Sequence, residues 1–294
     1  MSMSLQEMSQ KIASATRVGR VVHIMKVIAA SQIRKCEEAA LASQQYSEIV
    51  LRALFALLYK GHYAALKERK GPSDCAIAII FGTDQGLVGA FNDRIVEYAA
   101  PILNRYREKT IFVIGSRVQG RLEDKGLKVE KCYPSLSSAT SITSAIPGVL
   151  VDLEPLLLRN HQCDLLLFHN SLTHGKKCEP VSTKVLPLDE SWKAKLAMTS
   201  WPTHQIPQVV DGKGGTLEEV LKEYMVVTLA RTFAESMESE NVCRLESMQR
   251  AEKNIEEVLT DLHLGFTLFR QSAIDAELFD VIAGFSALSN ELGT

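Results

Sequence analysis

The chain has 294 residues, of which 46% are hydrophobic and 23% charged, and its formal net charge is −2. This balanced charge argues against bulk nucleic-acid binding, which usually brings a strongly basic domain. The sequence contains no apolar run near the ~18 residues that a membrane span needs and no apolar core of the signal-peptide type at its start, so we expect no membrane span.

The distribution of proline divides the chain into three parts. All nine prolines lie between Pro72 and Pro207, and glycine is also rare at both ends. Both residues destabilise helix interiors, so their scarcity predicts two long terminal helices. We therefore expect a first helix within residues 1–70, an inserted domain at residues 71–210 and a last helix within residues 211–294.

The first helix is predicted to begin at a capping box. Ser4 and Glu7 have the S-x-x-E spacing, in which each side chain accepts a hydrogen bond from the other residue's backbone N–H. Apolar or small residues then recur in steps of three and four from Leu5 to about Tyr59. This period predicts one apolar stripe along a helix of roughly 80 Å.

Short β-like runs alternate with helix-sized segments in the inserted domain. Such alternation is typical of a parallel sheet with flanking helices, a Rossmann-like α/β arrangement. Residues 164–172 and 179–188 are expected to form a hairpin. The predicted strands are Cys75–Phe81, Thr110–Ile114, Cys163–His169 and, more weakly, Lys128–Cys132, and the predicted helices are Ala90–Tyr106, Arg117–Lys125 and Ser138–Leu158.

The turn after the first predicted strand is the best candidate for small-molecule chemistry. Residues 82–89 (GTDQGLVG) stand between a strand and a helix, where phosphate-binding loops lie. They lack the G-K-[ST] ending of a P-loop and the G-x-G-x-x-G spacing of a dinucleotide site. We interpret the segment as a tight turn in which Asp84 supports a helix start, with nucleotide binding as the alternative.

Other site chemistry is not indicated by the sequence. The seven histidines show no zinc-ligand spacing, there is no G-x-S-x-G motif, and the six cysteines form no C-x-x-C pair. We expect no catalytic residue, no metal and no cofactor in this chain. The cysteines are expected to be buried thiols in a reducing compartment.

The last helix has the period of a coiled coil. A second capping box, Thr216 to Glu219, is predicted to start it after the glycine-rich linker Asp211–Gly215. From Leu245 to Ala273 its apolar residues recur about every 3.5 residues, the period of a left-handed coiled coil. A helix of this length needs a partner for its apolar stripe.

Charge suggests that the partner is the first helix. Residues 1–36 are predominantly basic, and residues 216–261 are predominantly acidic. An antiparallel pair would bring the two signs together, although each exposed ion pair contributes only ~0–1 kcal/mol. The predicted fold is therefore a long antiparallel coiled coil of the terminal helices with an inserted α/β domain.

Specific motifs occur in three segments of the chain. Residues 25–35 read MKVIAASQIRK and residues 83–92 read TDQGLVGAFN, the latter close to an S-D-R-G-L-C-G-x-F-N pattern. Near the other end, residues 270–274 read RQSAI, and Glu277-Leu278 follow. Together these segments resemble the gamma subunit family of F-type ATP synthases.

The resemblance implies an asymmetric shaft with an α/β domain at its foot. In the family, the coil stands inside a ring of alternating alpha and beta subunits, and the foot joins the epsilon subunit and the membrane c-ring. The resemblance thus implies a rotor that couples ion flow to conformational change at beta-subunit catalytic sites and has no catalytic site of its own. It also implies a peripheral location on the cytoplasmic face of a bacterial inner membrane, with the matrix face of a mitochondrial membrane as the less favoured alternative.

Five residues are expected to contact partner subunits because they match positions of the family motifs. Met25 matches a methionine near the contact region of the ring. Arg244 matches an arginine that faces acidic loops of the beta subunit. The resemblance places Arg270, Gln271 and Glu277 in the upper bearing.

The chain also departs from the family pattern. Gln85 stands where arginine is usual, and Thr267 and Asp275 stand where asparagine and threonine are common. These differences indicate a divergent branch. Two alternatives stay open, an α/β nucleotide-binding enzyme with a coiled-coil docking arm and a coiled-coil scaffold. Nucleotide binding by the isolated chain would separate the enzyme from the rotor.

Overall fold

The computed structural model describes residues 4–58, 73–159, 163–173, 177–187 and 213–291. The helices, in chain order, are α1 (Leu5–Leu58), α2 (Phe91–Leu103), α3 (Ser116–Asp124), α4 (Ile142–Arg159) and α5 (Lys213–Glu291). The strands are β1 (Cys75–Phe81), β2 (Glu108–Ile114), β3 (Lys131–Tyr133), β4 (Asp164–Leu172) and β5 (Cys178–Leu186).

The chain divides into two compact units. Residues 1–28 and 246–294 form the first, which we call the coil unit. Residues 29–245 form the second, the α/β unit. The predicted three-part division of the chain remains a prediction.

The two long helices form as the sequence predicts, with one difference at a helix start. Ser4 N donates to Glu7 Oε2 (2.9 Å) and Glu7 N donates to Ser4 Oγ (3.2 Å), which confirms the first capping box. The second predicted box is wrong, because α5 already begins at Lys213. Glycine in a helix costs only ~1 kcal/mol per residue relative to alanine, and tertiary packing of the helix can outweigh this cost. The glycines after Lys213 are therefore part of α5. Asp211 and Gly212 of the predicted linker lie outside the described residues.

The sheet has the order β3-β2-β1-β4-β5. The pairs β1–β2, β1–β4 and β2–β3 are parallel, and β5 alone runs antiparallel to its neighbour β4. The predicted parallel sheet and terminal hairpin are therefore confirmed. Strand β1 lies at the centre, and all its residues after Cys75 are buried, as its continuous apolar run predicts.

Helices cover both faces of this sheet. On one face, Ala78 and Ile80 of β1 pack in a core shared with α2 and α3. On the other face, Ile79 and Phe81 pack in a core shared with α4 and with Leu229 and Phe233 of α5. Helix α5 thus lies against the sheet within the α/β unit, beside the carboxyl ends of β1 and β4.

Helix α4 belongs to this core. The segment Ala139–Leu158 is long and apolar enough, by composition alone, to cross a membrane. Its residues Ile146, Val149 and Leu153 are buried in the core on the α5 side of the sheet. The core thus accounts for one side of α4, whereas Val151 and Leu158 of the same helix are exposed.

Two of the six cysteines form a disulfide bond. Cys75 and Cys163 stand at the starts of the paired strands β1 and β4, with their Cα atoms 4.7 Å apart. The prediction of six thiols is wrong for this pair, because strand pairing brings together residues that are 88 positions apart. Cys36 is a free buried thiol, and burial, with the charges of nearby glutamates, raises its pKa to about 11.

Candidate functional site

The coil unit is an antiparallel pair of helices. Lys26 Nζ on α1 lies 2.5 Å from Glu252 Oε2 on α5, and His23 Nδ1 lies 3.0 Å from the other oxygen of the same carboxylate. Further from this pair, Met8 Cε lies 3.4 Å from the position that a Cβ would take at Gly265. From the Lys26–Glu252 pair to the Met8–Gly265 pair, residue numbers fall on α1 and rise on α5, so the two helices run in opposite directions. The predicted antiparallel coil is therefore confirmed.

The outer surfaces of this coil carry many apolar side chains among charged ones. Beyond the residues buried between the helices, the coil unit exposes large aliphatic and aromatic side chains on both helices, each at least 40% accessible. A helix that is apolar on more than one side is normally buried, and large exposed apolar patches mark interaction sites. On α1 they are Val18, Val21, Ile24, Val27 and Ile28, and on α5 they are Val258, Leu264, Leu268, Phe269, Ile274, Leu278, Phe279, Val281 and Ile282.

Four of the five predicted contact residues lie on the coil unit. Arg270, Gln271 and Glu277 are exposed on α5, among the exposed apolar side chains. Met25 on α1 is half-buried. All four are therefore at least partly accessible to another molecule.

Arg244, the fifth predicted contact residue, is buried in the α/β unit. Its Nη2 donates to Glu240 Oε1 at 2.6 Å, and both side chains are about nine-tenths buried. Burial raises the pKa of the Glu240 carboxyl; the Arg244 charge opposes this rise and the charge of Asp84 adds to it. Among the described residues, Arg244 Nε has no hydrogen-bond partner. In this chain Arg244 is thus an internal counter-ion for Glu240.

The turn after β1 is held to other elements by the side chain of its own residue Asp84. Asp84 accepts hydrogen bonds from Ser116 N (2.7 Å), Ser116 Oγ (2.9 Å) and Ser135 N (2.7 Å). Burial alone would raise the pKa of Asp84, but these hydrogen bonds outweigh it and hold the pKa below its usual value. Asp84 therefore supports the start of α3 and not the start of α2, the helix after the turn, so the predicted role is wrong about the helix.

The crevice beside this turn is the usual ligand position of an open α/β sheet. Ligands bind such sheets outside the carboxyl ends of the strands, where the strand order reverses, which here is between β1 and β4. Thr83 and Asn92 bond each other across the turn, through Thr83 N to Asn92 Oδ1 (3.1 Å) and Asn92 Nδ2 to Thr83 Oγ1 (2.9 Å). Both are buried.

Helix α5 supplies the groups that meet β4 at this crevice. Ser239 Oγ lies 2.8 Å from both Asn170 O on β4 and Glu235 O on α5, which share its one hydroxyl hydrogen, and His169 Nε2 lies 2.9 Å from Glu235 Oε2. Burial alone would raise the pKa of Glu235, but hydrogen bonds from His169 and Arg231 hold it below its usual value. We call His169, Asn170, Glu235 and Ser239 the crevice network. Helix α5 of the same chain thus occupies the position in which a ligand of such a sheet would bind.

Sequence reasoning did not find the crevice network. One signal was available: His169 continues the alternation of Leu165 and Leu167 on β4, so it had to point into the same core as they do. A buried histidine needs a polar partner. Nothing in the sequence indicated that this partner is Glu235.

A match to a known family covers almost the whole chain. Residues 4–288 match the family model described as ATP synthase. The chain belongs to this family. The resemblance found in the sequence motifs is thereby confirmed.

Similar proteins agree with this assignment. The ATP synthase gamma chain of Dechloromonas aromatica (strain RCB) is 26% identical, covering 96% of this chain and 99% of that one. The ATP synthase gamma chain of Polynucleobacter necessarius subsp. necessarius (strain STIR1) is 27% identical, covering 97% and 99%. The chain thus spans nearly the full length of these relatives.

Solved structures share the fold. One chain of the Euglena gracilis mitochondrial ATP synthase (OSCP/F1/c-ring, rotational state 3) gives a TM-score of 0.68 at 15% identity, covering 97% of this chain and 94% of that chain. A chain of the rotor of the same organism's enzyme in rotational state 1 gives 0.63 at 14% identity, covering 92% and 98%. At these identities the likeness supports the fold alone.

Proposed function

We propose that the chain is the central rotor shaft, the gamma subunit, of a rotary ATP synthase. The observation that carries this proposal is the coil unit, whose two helices expose apolar side chains outside their mutual interface. Exposed apolar surface of this extent marks an interaction site, and a sleeve formed by other subunits would bury it. A ring of alpha and beta subunits is that sleeve, and the epsilon subunit and c-ring bind the foot.

Rotation of an asymmetric shaft provides the coupling. A shaft can change nucleotide affinity at a beta subunit only if its faces stabilise different beta conformations to different degrees. The coil unit has chemically different faces, because β-branched side chains such as Val21 and Ile24 are exposed on α1, while α5 exposes Phe279 and, on another side of the helix, the acidic Glu277. Ion flow through the membrane sector would thus be coupled to conformational change at the catalytic sites.

The proposal includes the absence of a catalytic site in this chain. Its support is the crevice at the ends of β1 and β4, where α5 residues Glu235 and Ser239 bond the sheet. A nucleotide would have to displace these buried hydrogen bonds before it could bind. The competing function, an α/β nucleotide-binding enzyme, requires that crevice to be open.

The proposed contacts to the ring are Met25, Arg244, Arg270, Gln271 and Glu277. The exposed members, Arg270, Gln271 and Glu277, need no change in the chain to reach a partner. For Arg244 the proposal is a second contact. An acidic group of the beta subunit would bind the guanidinium nitrogens that Glu240 does not use. We place the complex as a peripheral assembly on the cytoplasmic face of a bacterial inner membrane.

Purification from its own cells tests the proposal. The chain, tagged in the chromosome, should purify with alpha, beta and epsilon subunits and a c-ring, and the complex should hydrolyse ATP. The isolated chain should not bind ATP in equilibrium dialysis. Recovery of the chain without these subunits, or ATP binding by the isolated chain that is lost in Gly86→Ala, would favour the enzyme instead.

A further inference from the structure

Two kinds of contact join α5 to the sheet within the α/β unit. The first is apolar: Phe233 packs edge-on against Phe81, with ring centroids 4.9 Å apart, and Leu229 and Met237 lie in the same core. The second is the crevice network, in which Glu235 and Ser239 of α5 meet His169 and Asn170 of β4. The two kinds respond differently to a force on the helix.

The crevice network continues beyond β4. Asn170 Nδ2 donates to Phe91 O at 3.0 Å, at the start of α2. One residue further, Asn92 bonds Thr83 in the turn after β1. A line of directional bonds therefore runs from α5 through β4 to α2 and to the turn that follows the central strand.

Burial makes these bonds costly to break. Asn170 and Ser239 are fully buried, and His169 is 2% exposed. A buried donor or acceptor that loses its partner cannot turn to water, so a rotation or slide of α5 would leave several polar groups unsatisfied at once. Apolar side chains impose no such directional requirement. Among the described residues, His169 Nδ1 and Asn170 Oδ1 have no hydrogen-bond partner, so the network acts only through the bonds of His169 Nε2, Asn170 O and Asn170 Nδ2.

We infer that the crevice network fixes the rotational position of α5 on the sheet, so that torque passes between the helix and the α/β unit without slip. This inference rests on the proposed function as a rotor. His169, Glu235 and Ser239 are positioning residues in it, since they touch no substrate. The contact that transmits torque thus lies in the crevice where α/β sheets usually bind ligands. We call this contact between α5 and β4 the joint.

A double variant replaces two polar side chains of the joint by apolar side chains of similar volume. His169→Leu with Ser239→Ala breaks both bonds between α5 and β4. In the matched control, Thr228→Val with Thr232→Val, the lost hydroxyls donate along α5 itself, to Tyr224 O (2.7 Å) and Thr228 O (2.9 Å). The control thus removes two hydroxyls from α5, whereas the joint variant removes one hydroxyl from α5 and the imidazole of His169 from β4.

The readout is the ratio of ion transport to ATP hydrolysis in the complete complex, reconstituted in vesicles. We expect the joint variant to keep at least half of the wild-type hydrolysis rate while ion transport per ATP falls at least threefold. The control should keep the wild-type ratio. Ser239→Ala alone, which retains His169 and Glu235, should give an intermediate ratio and serves if the double variant does not assemble.

Two results would overturn the inference. One is an unchanged ratio in assembled complexes of the joint variant or of Ser239→Ala. The other is an equal fall in the control, which would mean that any loss of polarity in α5 weakens coupling. Failure of the proposed function is a separate result, because it is seen in the wild-type chain as a lack of partner subunits.

Discussion

Lys26 on α1 and Glu252 on α5 are joined across the coil by an ion pair of 2.5 Å. His23 contacts the same carboxylate, so one acidic residue of α5 holds two side chains of α1. This arrangement matches the opposite charges of the two terminal segments. It also gives the coil unit a pH dependence with a definite sign.

Glu252→Gln should lower the melting temperature of the chain more at pH 7 than at pH 3. Hydrogen bonds from Lys26 and then His23 lower the pKa of Glu252 below its usual 4.5. A carboxyl with a lowered folded-state pKa stabilises the protein above its unfolded-state pKa, and the effect is lost as the pH falls through the folded value. Helix unfolding followed by circular dichroism measures the difference.

The exposed change Glu256→Gln on the same helix serves as the control for this pH dependence. It should leave the melting temperature close to that of the wild type at both pH values. Salt at ~1 M shortens the Debye length to ~3 Å and should shrink the effect of Glu252→Gln. Equal melting temperatures of Glu252→Gln and the wild type at pH 7 and low salt would contradict the prediction.

Reduction of the Cys75–Cys163 bond should destabilise the α/β unit. The bond closes a loop of 88 residues, and chain entropy assigns about 4.6 kcal/mol to a loop near that size. Urea unfolding should therefore shift to a lower midpoint with dithiothreitol, and Cys75→Ala with Cys163→Ala should reproduce the shift without reductant. Cys132→Ala, at a free and half-buried thiol, is the control. Identical urea midpoints with and without reductant would show that the disulfide bond does not stabilise the α/β unit.

Most of the architecture could be predicted from the hydrophobic periodicity and from the positions of proline and glycine. The run of apolar residues at Cys75–Phe81 predicted β1 with its observed bounds, because a strand buried on both faces needs no alternation. The long proline-free ends predicted α1 and α5, and their opposite charges predicted the pairing. These features are local, so a single sequence reveals them.

The functional details depend on contacts that local patterns do not specify. His169 and Glu235 are 66 residues apart, and Ser239 bonds a carbonyl 69 residues away. Their meeting depends on how α5 is turned on the sheet, which a helical period leaves open. The burial of Arg244 was missed for the same reason, since the family motif marks its position but not its surroundings.

Phe279→Ala should weaken assembly while leaving the isolated chain as stable as before. Phe279 is 69% exposed on α5, so its removal takes little apolar surface from the folded chain's own core. We expect a change below about 0.5 kcal/mol in unfolding free energy. The same change at buried Phe233 should cost about 3–5 kcal/mol. Urea unfolding measures stability, and the yield of alpha and beta subunits in a pull-down measures assembly.

The opposite result for Phe279 is informative. If Phe279→Ala leaves subunit yield and the ATP hydrolysis rate of the complex unchanged, the exposed apolar surface of α5 has no sleeve at this position. The proposed enclosure of the coil would then fail where it is most apolar. Reduced yield with unchanged chain stability supports it.

Arg244→Ala should destabilise the chain, whereas Arg270→Ala should not. Without Arg244, ionised Glu240 is a buried charge with no counter-ion, and breaking such a pair costs about 3–5 kcal/mol. Arg270 is exposed, so its loss should change the unfolding free energy by less than about 0.5 kcal/mol. Arg270→Ala should instead lower ATP turnover in the assembled complex, since its proposed contact lies outside the chain.

The pH dependence of Arg244→Ala separates an internal counter-ion from an external contact. The pKa of Glu240 is raised in the folded chain, and losing Arg244 removes the charge that opposes the rise. A carboxyl with a raised folded-state pKa penalises folding increasingly as the pH rises above its unfolded value. Urea unfolding should therefore show a large loss for Arg244→Ala at pH 8 and a smaller one at pH 5. Adding Glu240→Leu should restore part of the stability at pH 8, because no charge is then left unpaired. If Arg244→Ala unfolds like the wild type at pH 8, Glu240 does not depend on Arg244, and a partner subunit is the better assignment for this arginine.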